Sequence, residues 1–127
     1  MLRFLIAGGP RVGKTTLSQC LAGGLGIQPR KTDELIGTYD FAEAHPHVAA
    51  WFDVPGPWVI EGVTVPRALR HWLATHADGV PCDQVFWSDF QKAERTPAQQ
   101  NMAKGCRTVW MQVEDELRRR GVNVQRF

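Results

Sequence analysis

Residues 2–15 read Leu2-Arg3-Phe4-Leu5-Ile6-Ala7-Gly8-Gly9-Pro10-Arg11-Val12-Gly13-Lys14-Thr15, and this stretch decides the fold. Its first six residues form an apolar run that predicts a buried strand, and residues 16–22 continue with a helix-like composition. The glycines between them let the backbone turn from the strand into the helix. A strand, a glycine-rich turn and a helix in this order are typical of an α/β fold.

The turn fits the phosphate-binding pattern Gly-x-x-x-x-Gly-Lys-[Ser/Thr], and its strand-before, helix-after context is the one the pattern requires. In such a loop backbone N–H groups surround a polyphosphate, the lysine adds a positive charge, and the helix start adds a partial one. The predicted ligand is ATP or GTP, and the alternative is a glycine-rich turn that binds nothing. The predicted binding residues are Gly8, Gly9, Pro10, Arg11, Val12, Gly13, Lys14, Thr15 and Thr16, with Thr15 as the Mg²⁺ ligand.

Strand-like and helix-like segments alternate along the rest of the chain, which predicts a parallel sheet covered on both faces. The predicted strands are 2–7, 27–32, 58–60, 84–87 and 122–127. Pro29 argues against the second strand or confines it to an edge of the sheet. The predicted helices are 14–21, a pair broken at Pro46 within 39–52, 66–76 and 96–120. In the last helix Thr96 is the predicted N-cap, and Met102, Cys106, Val109, Val113 and Leu117 recur at helical spacing.

Composition bounds the class of protein. The chain has 127 residues, enough for one domain over 1–127, and 15 basic against 13 acidic residues give a net charge of only +2. This charge does not by itself indicate a nucleic acid or an anionic membrane as partner. The apolar run at the N-terminus is too short for a signal peptide or a membrane span.

The three cysteines, Cys20, Cys82 and Cys106, lie far apart along the chain. Their odd number and spacing argue against a disulfide framework or a zinc site and favour a reducing compartment. We expect buried cysteines and a cytoplasmic protein.

Acidic residues follow three further predicted strands. Asp33 and Glu34 follow the second, Glu61 the third and Asp89 the fourth. Because ligands bind beyond the carboxyl ends of strands in an open parallel sheet, these carboxylates are expected to face the phosphate-binding loop. Phosphoryl transfer needs a group that holds the metal, a group that orients or deprotonates the nucleophile, and positive charge. The alternatives are an N-cap role for Asp33 and an ordinary strand-ending turn at Glu61.

At these residues the chain resembles the small-molecule kinase branch of the P-loop proteins, which includes shikimate, gluconate, adenylate and polynucleotide kinases. The resemblance implies a three-layer αβα fold with a mostly parallel sheet of about five strands. The stretch 32–35 is similar to one that contacts the acceptor hydroxyl in several of these kinases. It implies that Asp33 is the catalytic base or orienting group, with Glu34 as its substitute, and that Glu61 reaches the Mg²⁺ shell or the substrate. The sequence departs from the usual form by carrying Glu61 where these kinases have Asp.

The resemblance also implies basic residues around the substrates. Arg67 is the candidate for binding the acceptor, with an exposed helix face as the alternative. Residues 88–97 match the position of the lid, where Lys92 and Arg95 are candidates for stabilising charge in the transition state. Kinases of this branch continue past the fifth strand into a loop that touches adenine, whereas this sequence stops at Phe127. Two interpretations follow: poor selectivity for the nucleobase, or a partner subunit that completes the site.

The leading hypothesis is a kinase that transfers the terminal phosphoryl group of ATP, with Mg²⁺, to a small nucleoside- or nucleotide-like acceptor. A second is a kinase acting on a polynucleotide or a modified base, as in small phage-encoded DNA-modifying kinases. From a different class come an ATP-binding switch module that works without an acceptor, and a degenerate nucleotide binder.

Overall fold

The computed structural model describes residues 2–35 and 37–127, and of Phe41 it describes the backbone alone. Five strands, four α-helices and a short 3-10 helix follow one another in this part of the chain. In chain order they are β1 (Arg3–Gly8), α1 (Lys14–Leu25), β2 (Arg30–Lys31), the 3-10 helix (Thr32–Leu35), α2 (Phe41–Trp51), β3 (Trp58–Gly62), α3 (Val65–Thr75), β4 (Gln84–Ser88), α4 (Pro97–Arg119) and β5 (Asn123–Arg126).

The strands form one sheet in the order β2-β3-β1-β4-β5, and all of its neighbouring pairs are parallel. The predicted α/β class is therefore confirmed, with a fully parallel sheet. β1 lies at the centre between β3 and β4, so the chain extends the sheet first on one side of β1 and then on the other. A reversal of this kind opens a crevice beyond the carboxyl end of the central strand. Here that crevice lies directly after Gly8.

Successive residues of β1 pack on opposite faces of the sheet, as the pleat of a strand requires. Leu5 and Ala7 join the main core, which includes buried residues of α2, α3 and α4. Ile6 and Phe4 pack on the other face against apolar residues of α1. Helices thus cover both faces, in agreement with three αβα layers.

The second strand is an edge strand, as Pro29 predicts, but it is shorter than the predicted 27–32. Only Arg30 and Lys31 pair, with Ile60 and Glu61 of β3. Proline has no N–H to give to a ladder, so pairing begins after it. The 3-10 helix follows at once and carries Asp33 to the carboxyl edge of the sheet.

The predicted break at Pro46 is wrong, because α2 runs without interruption over Phe41–Trp51 with Pro46 inside it. A proline removes one intrahelical hydrogen bond but its fixed φ is compatible with a helix. The apolar face of α2 compensates, since Ala44, Val48 and Ala49 are buried. Packing on α3 therefore outweighs the local cost.

The long helix α4 begins as predicted. The Thr96 hydroxyl accepts a hydrogen bond from the Gln99 N–H at 3.1 Å, and the Gln99 side-chain oxygen accepts one from the Thr96 N–H at 2.9 Å. This reciprocal capping box fixes the start of the helix, with Pro97 at its first position. Of the helices in 2–35 and 37–127, none has the length and apolar character to cross a membrane.

The cysteines are not all buried as predicted. Cys82 and Cys106 are fully buried, but Cys20 lies exposed on α1. The apolar residues of α1 that pack on the sheet are Leu17, Leu21 and Leu25 with Ala22, and Cys20 falls outside that stripe.

Candidate functional site

The loop between β1 and α1 contains two residues in the left-handed backbone region. Gly13, the N-cap of α1, has φ 90°, and Arg11 has φ 65°. No side chain of the described residues caps α1 through a hydrogen bond at Gly13, and its first turn holds no acidic residue. The first N–H groups of the helix and its positive dipole end therefore point at the loop, which is the arrangement that binds anions.

Two of the loop glycines are also required by packing. A Cβ at Gly8 would lie 2.5 Å from the Ser88 carbonyl oxygen of β4, and one at Gly9 would lie 2.8 Å from the Ala103 Cβ of α4. Both distances are too short for a side chain, so β4 and α4 press directly on the loop. The sequence predicted these glycines for the turn and for phosphate binding, but not for this close packing.

Lys14 lies at the centre of the site. Its Nζ donates a hydrogen bond of 2.6 Å to the Gly9 carbonyl oxygen, so the side chain spans its own loop. Burial lowers the pKa of the Lys14 ammonium, whereas the nearby charges of Glu61 and Asp33 act in the opposite direction. Arg95 is also close enough to lower this pKa. Lys14, Asp33, Glu61 and Arg95 thus share one electrostatic environment.

A cavity of about 840 Å³ opens beside the loop, and we call it the loop cavity. Its walls come from four elements that are distant in sequence. They are loop residues 10–16, Asp33 of the 3-10 helix, residues 61–63 at the end of β3, and Gln99 and Met102 of α4. The structure therefore brings the phosphate-binding pattern together with two of the predicted carboxylates.

Glu61 is 4% exposed and is the second-last residue of β3, where it pairs with Ile6 of β1. The Ser18 hydroxyl lies 3.3 Å from Glu61 Oε2 and 2.9 Å from the Thr15 carbonyl oxygen. Ser18 thereby links helix α1 to the buried carboxylate. Sequence reasoning missed it, and the available signal was its spacing of one helical turn from Lys14.

Asp33 and Glu34 are adjacent but have different surroundings. Asp33 is exposed and lines the loop cavity. Glu34 is outside that lining, because its Oε1 accepts a hydrogen bond from the Lys31 N–H at 3.2 Å and its Oε2 lies 3.8 Å from Arg30 Nε. Asp33 lies inside a 3-10 turn rather than before an α-helix, and Ile36, the last residue of the helix it was expected to cap, lies outside the described residues.

The segment 89–96, between β4 and α4, is tied to the phosphate-binding loop. The Lys92 N–H donates to the Arg11 carbonyl oxygen at 2.7 Å, and Arg95 Nε donates to the Pro10 carbonyl oxygen at 2.7 Å. Arg11 Nε donates in return to the Glu94 carbonyl oxygen at 3.4 Å. Arg95 is not among the residues that line the loop cavity; it lines a second cleft, which Gly9 also borders.

Arg67 is half-buried on α3 and is also outside the lining of the loop cavity. Its Nη2 lies 3.0 Å from the position of a Cβ on Gly105 of α4. The main cause that lowers the pKa of His45 is burial, and the charge of Arg67 lowers it further. The same charge acts on Cys106, where it opposes the rise in pKa that burial causes. Arg67 therefore lies between α3 and α4, behind the end of β3.

Met102 was expected in the apolar stripe of α4, with Cys106 and Val109. It is instead 37% exposed and forms part of the cavity wall with Gln99. Neither residue is signalled by the sequence, because each resembles an ordinary residue of an amphipathic helix.

No protein-family model matches this chain, and no curated protein matches it with significant similarity. Function therefore has to be inferred from the site itself.

Proposed function

We propose that this protein is a kinase that binds a nucleoside triphosphate on residues 8–16 and transfers its terminal phosphoryl group to a hydroxyl of a small nucleoside- or nucleotide-like acceptor. The observation that carries the proposal is the loop cavity, in which the phosphate-binding pattern faces Asp33 and Glu61. ATP is the proposed donor and the cytoplasm the proposed compartment.

The loop suits a polyphosphate for reasons beyond its sequence pattern. The first N–H groups of α1 point at it without a side-chain cap among the described residues, and close approach excludes side chains at Gly8 and Gly9. Lys14 Nζ bonds to a carbonyl oxygen of the loop, a neutral partner that phosphate oxygens can replace with stronger, charge-assisted bonds. Phosphate binding thus releases an internal bond and forms better ones.

A divalent cation also suits the residues present. Thr15 and Glu61 both line the loop cavity, and a hydroxyl with a carboxylate is a donor set that Mg²⁺ accepts. These two residues would hold the ion, and Ser18 fixes the carboxylate. When bound, Mg²⁺ neutralises phosphate charge.

The chain's own groups account for the transfer. Asp33 orients the acceptor hydroxyl and takes its proton as that oxygen forms a bond to the terminal phosphorus. The bond from this phosphorus to the bridging oxygen breaks, the electron pair stays on the leaving diphosphate, and Asp33 later releases the proton to water. Lys14 and Arg95 supply positive charge to the loop during transfer.

The acceptor side of the cavity favours a ring-containing molecule. Val63 and Met102 provide apolar surface and Gln99 provides one amide, a combination that holds a heterocycle or sugar. Glu34 and Arg67 remain predictions as substrate-binding residues, and the cavity walls give neither of them support.

The deciding experiment is ADP release with Mg-ATP over a panel of nucleosides, nucleotides, sugars and DNA ends. We expect one class of acceptor to stimulate ADP release. Asp33→Asn should reduce kcat about 10²–10⁴-fold with ATP binding retained. Lys14→Ala should abolish both ATP binding and the stimulated ADP release. Asp115→Asn, an exposed carboxylate on α4, is the matched control and should change neither.

An ATP-binding switch module is the second candidate, favoured by the hydrogen bonds that tie 89–96 to the loop. Slow hydrolysis that no acceptor stimulates would favour this module over the kinase. Absence of any heat in titration calorimetry with magnesium nucleotides would contradict both.

A further inference from the structure

A second cleft, here called the Gly9 cleft, borders the phosphate-binding loop at Gly9. It has a volume of about 260 Å³ and is formed by Gly9, the end of β4 and the first turns of α4. None of the residues that line it lines the loop cavity. It is therefore a separate cavity, which shares with the kinase proposal the charge of Arg95 but is not used there as a substrate pocket.

The charge of the Gly9 cleft is unbalanced. Three cations line it, Arg95, Lys104 and Arg107, against a single carboxylate, Asp89. Lys104 and Arg107 are three residues apart on α4, so they project from the same face of the helix. Because the whole chain carries a net charge of only +2, this local excess is a specific feature of the cleft.

Arg95 contributes a buried donor. Its Nε binds the Pro10 carbonyl oxygen and its Nη1 lies 3.4 Å from Gln100 Oε1. Its Nη2 is buried beside Gly9 and has no hydrogen-bond partner among the described residues. A buried guanidinium nitrogen without an acceptor is costly, and an oxyanion is the ligand that satisfies it best.

The one carboxylate in the cleft holds its partner weakly. Arg107 Nε lies 3.6 Å from Asp89 Oδ2, beyond hydrogen-bond distance, and the two side chains are 62% and 47% exposed. Such surface pairs contribute about 0–1 kcal/mol, so an incoming anion can take Arg107 at little cost.

We infer that the Gly9 cleft binds a phosphate group through Arg95, Lys104 and Arg107. A tetrahedral anion with two charges uses three converging cations, whereas a carboxylate uses the fork of one arginine. Arg95 also donates a hydrogen bond to the Pro10 carbonyl oxygen. An anion that binds Arg95 in the cleft therefore fixes the position of the loop through this bond. The cleft is an effector site coupled to the loop cavity through that bond.

The test is a titration with inorganic phosphate at constant ionic strength, followed by ¹H–¹⁵N spectra that include the arginine Nε–H signals. Phosphate is also expected to bind the phosphate-binding loop, so the titration is repeated in Lys14→Ala. We expect saturable shifts at Arg95 and Arg107 that persist in Lys14→Ala. In the double variant Lys104→Gln, Arg107→Gln, which keeps only the Arg95 signal, the shift at Arg95 should require at least tenfold more phosphate.

The matched control is Arg118→Gln with Arg119→Gln, which removes two cations of the same helix that pair with Glu114 and Glu116 away from the cleft. It should bind phosphate at the cleft as the wild type does, and acetate should bind the wild type at least tenfold more weakly. Loss of the Arg95 and Arg107 shifts in Lys14→Ala would overturn the proposal, as would an unchanged phosphate titration of the Arg95 signal in the double variant. If acetate bound as tightly as phosphate, or if the control variant lost as much phosphate binding as the double variant, the binding would be general charge attraction and the proposal would be wrong. If the double variant lacks dispersed spectra, Lys104→Gln alone takes its place.

Discussion

Of the described glycines, Gly62 leaves the least room for a side chain. Its φ is 151°, and a Cβ there would lie 1.7 Å from Thr32 Oγ1. The Thr32 side chain of the 3-10 helix therefore packs directly on the β3 backbone at Gly62, and this close contact holds Glu61 and Asp33 at one cavity. Any side chain at this position would push the two carboxylates apart.

We expect Gly62→Ala to lower the free energy of unfolding by about 2–4 kcal/mol, because it combines backbone strain with a steric clash. Urea unfolding measures the change. Gly24→Ala is the matched control, since Gly24 lies in α1 with no atom within 4 Å of an added Cβ. It should stabilise the protein by about 0.5–1 kcal/mol. Similar losses in both variants would show that the contact with Thr32 is not the cause.

Cys106 makes the stability of the fold decrease as pH rises. Burial raises the pKa of its thiol from 9.0 to about 11, and its Sγ donates to the Val63 carbonyl oxygen at 3.6 Å. In the unfolded chain the thiol loses its proton first. The stability that the neutral thiol contributes is therefore complete below pH 9 and is lost as pH rises to 11.

We expect the free energy of unfolding to fall over this range, and Cys106→Ala to remove about 2–3 kcal/mol of that fall. Urea unfolding under reducing conditions at pH 8–11 measures it. Burial also raises the pKa of Cys82, so part of the decrease persists in the variant. Cys20→Ala, at the exposed cysteine, should leave the profile unchanged. An identical profile in Cys106→Ala would contradict the assignment.

At this scale the sequence predicts the residues that belong to a motif and misses those that depend on packing. Lys14, Asp33 and Glu61 follow from a loop pattern and from strand ends. Ser18 had one signal, its spacing of one helical turn from Lys14, but the sequence does not give the rotation of α1 that turns it towards Glu61. Met102 had no signal, because its role depends on how α4 is rotated against the sheet. The position of Arg95 likewise depends on the path of the loop 89–96, which has no periodic pattern.

At the scale of elements, α2 shows a competition between local and tertiary effects. The sequence predicted a break because an interior proline removes the hydrogen bond to the residue four positions earlier, here Ala42. The structure keeps the helix because the residues around Pro46 alternate between exposed and buried with helical spacing. A periodic pattern that spans the proline was the signal to follow.

Pro46→Ala should therefore stabilise the protein. Pro46 is exposed, so little packing is lost, and alanine restores an N–H to the helix interior. We expect a gain of about 1–2 kcal/mol in the free energy of unfolding, after part is offset by the greater freedom of the unfolded chain. Urea unfolding provides the measurement.

Pro97→Ala is its control, because Pro97 is also exposed but lies at the first position of α4, where the missing N–H has no partner within the helix. That variant should gain nothing. A loss of stability in Pro46→Ala would mean that the ring makes a contact the helix needs.

At the scale of the whole molecule, the order of the strands sets the order of local stability. β1 pairs on both sides and is covered on both faces, whereas β2 pairs at two residues on the edge. The sequence predicted the five strands and their common direction. It gave no basis for their order, which depends on which crossover packs best.

We expect the amides of β1, such as those of Leu5 and Ile6, to exchange with deuterium only through global unfolding. Those of Arg30 and Lys31 should exchange through local opening, at least 100-fold faster. Native-state hydrogen exchange over a series of low urea concentrations separates the two, because global unfolding responds more steeply to urea. Equal urea dependence for β1 and β2 would show that the sheet opens as one unit.

The stack of Trp87 on Trp110 gives the protein a built-in optical probe. The ring centroids are 4.9 Å apart and the planes differ by 7°, with both indoles buried between β4 and α4. Two indoles this close couple electronically, so the circular dichroism of their absorption bands changes when either ring rotates. Since Trp87 also borders the Gly9 cleft, this signal would report, without any label, whether α4 remains packed against the sheet.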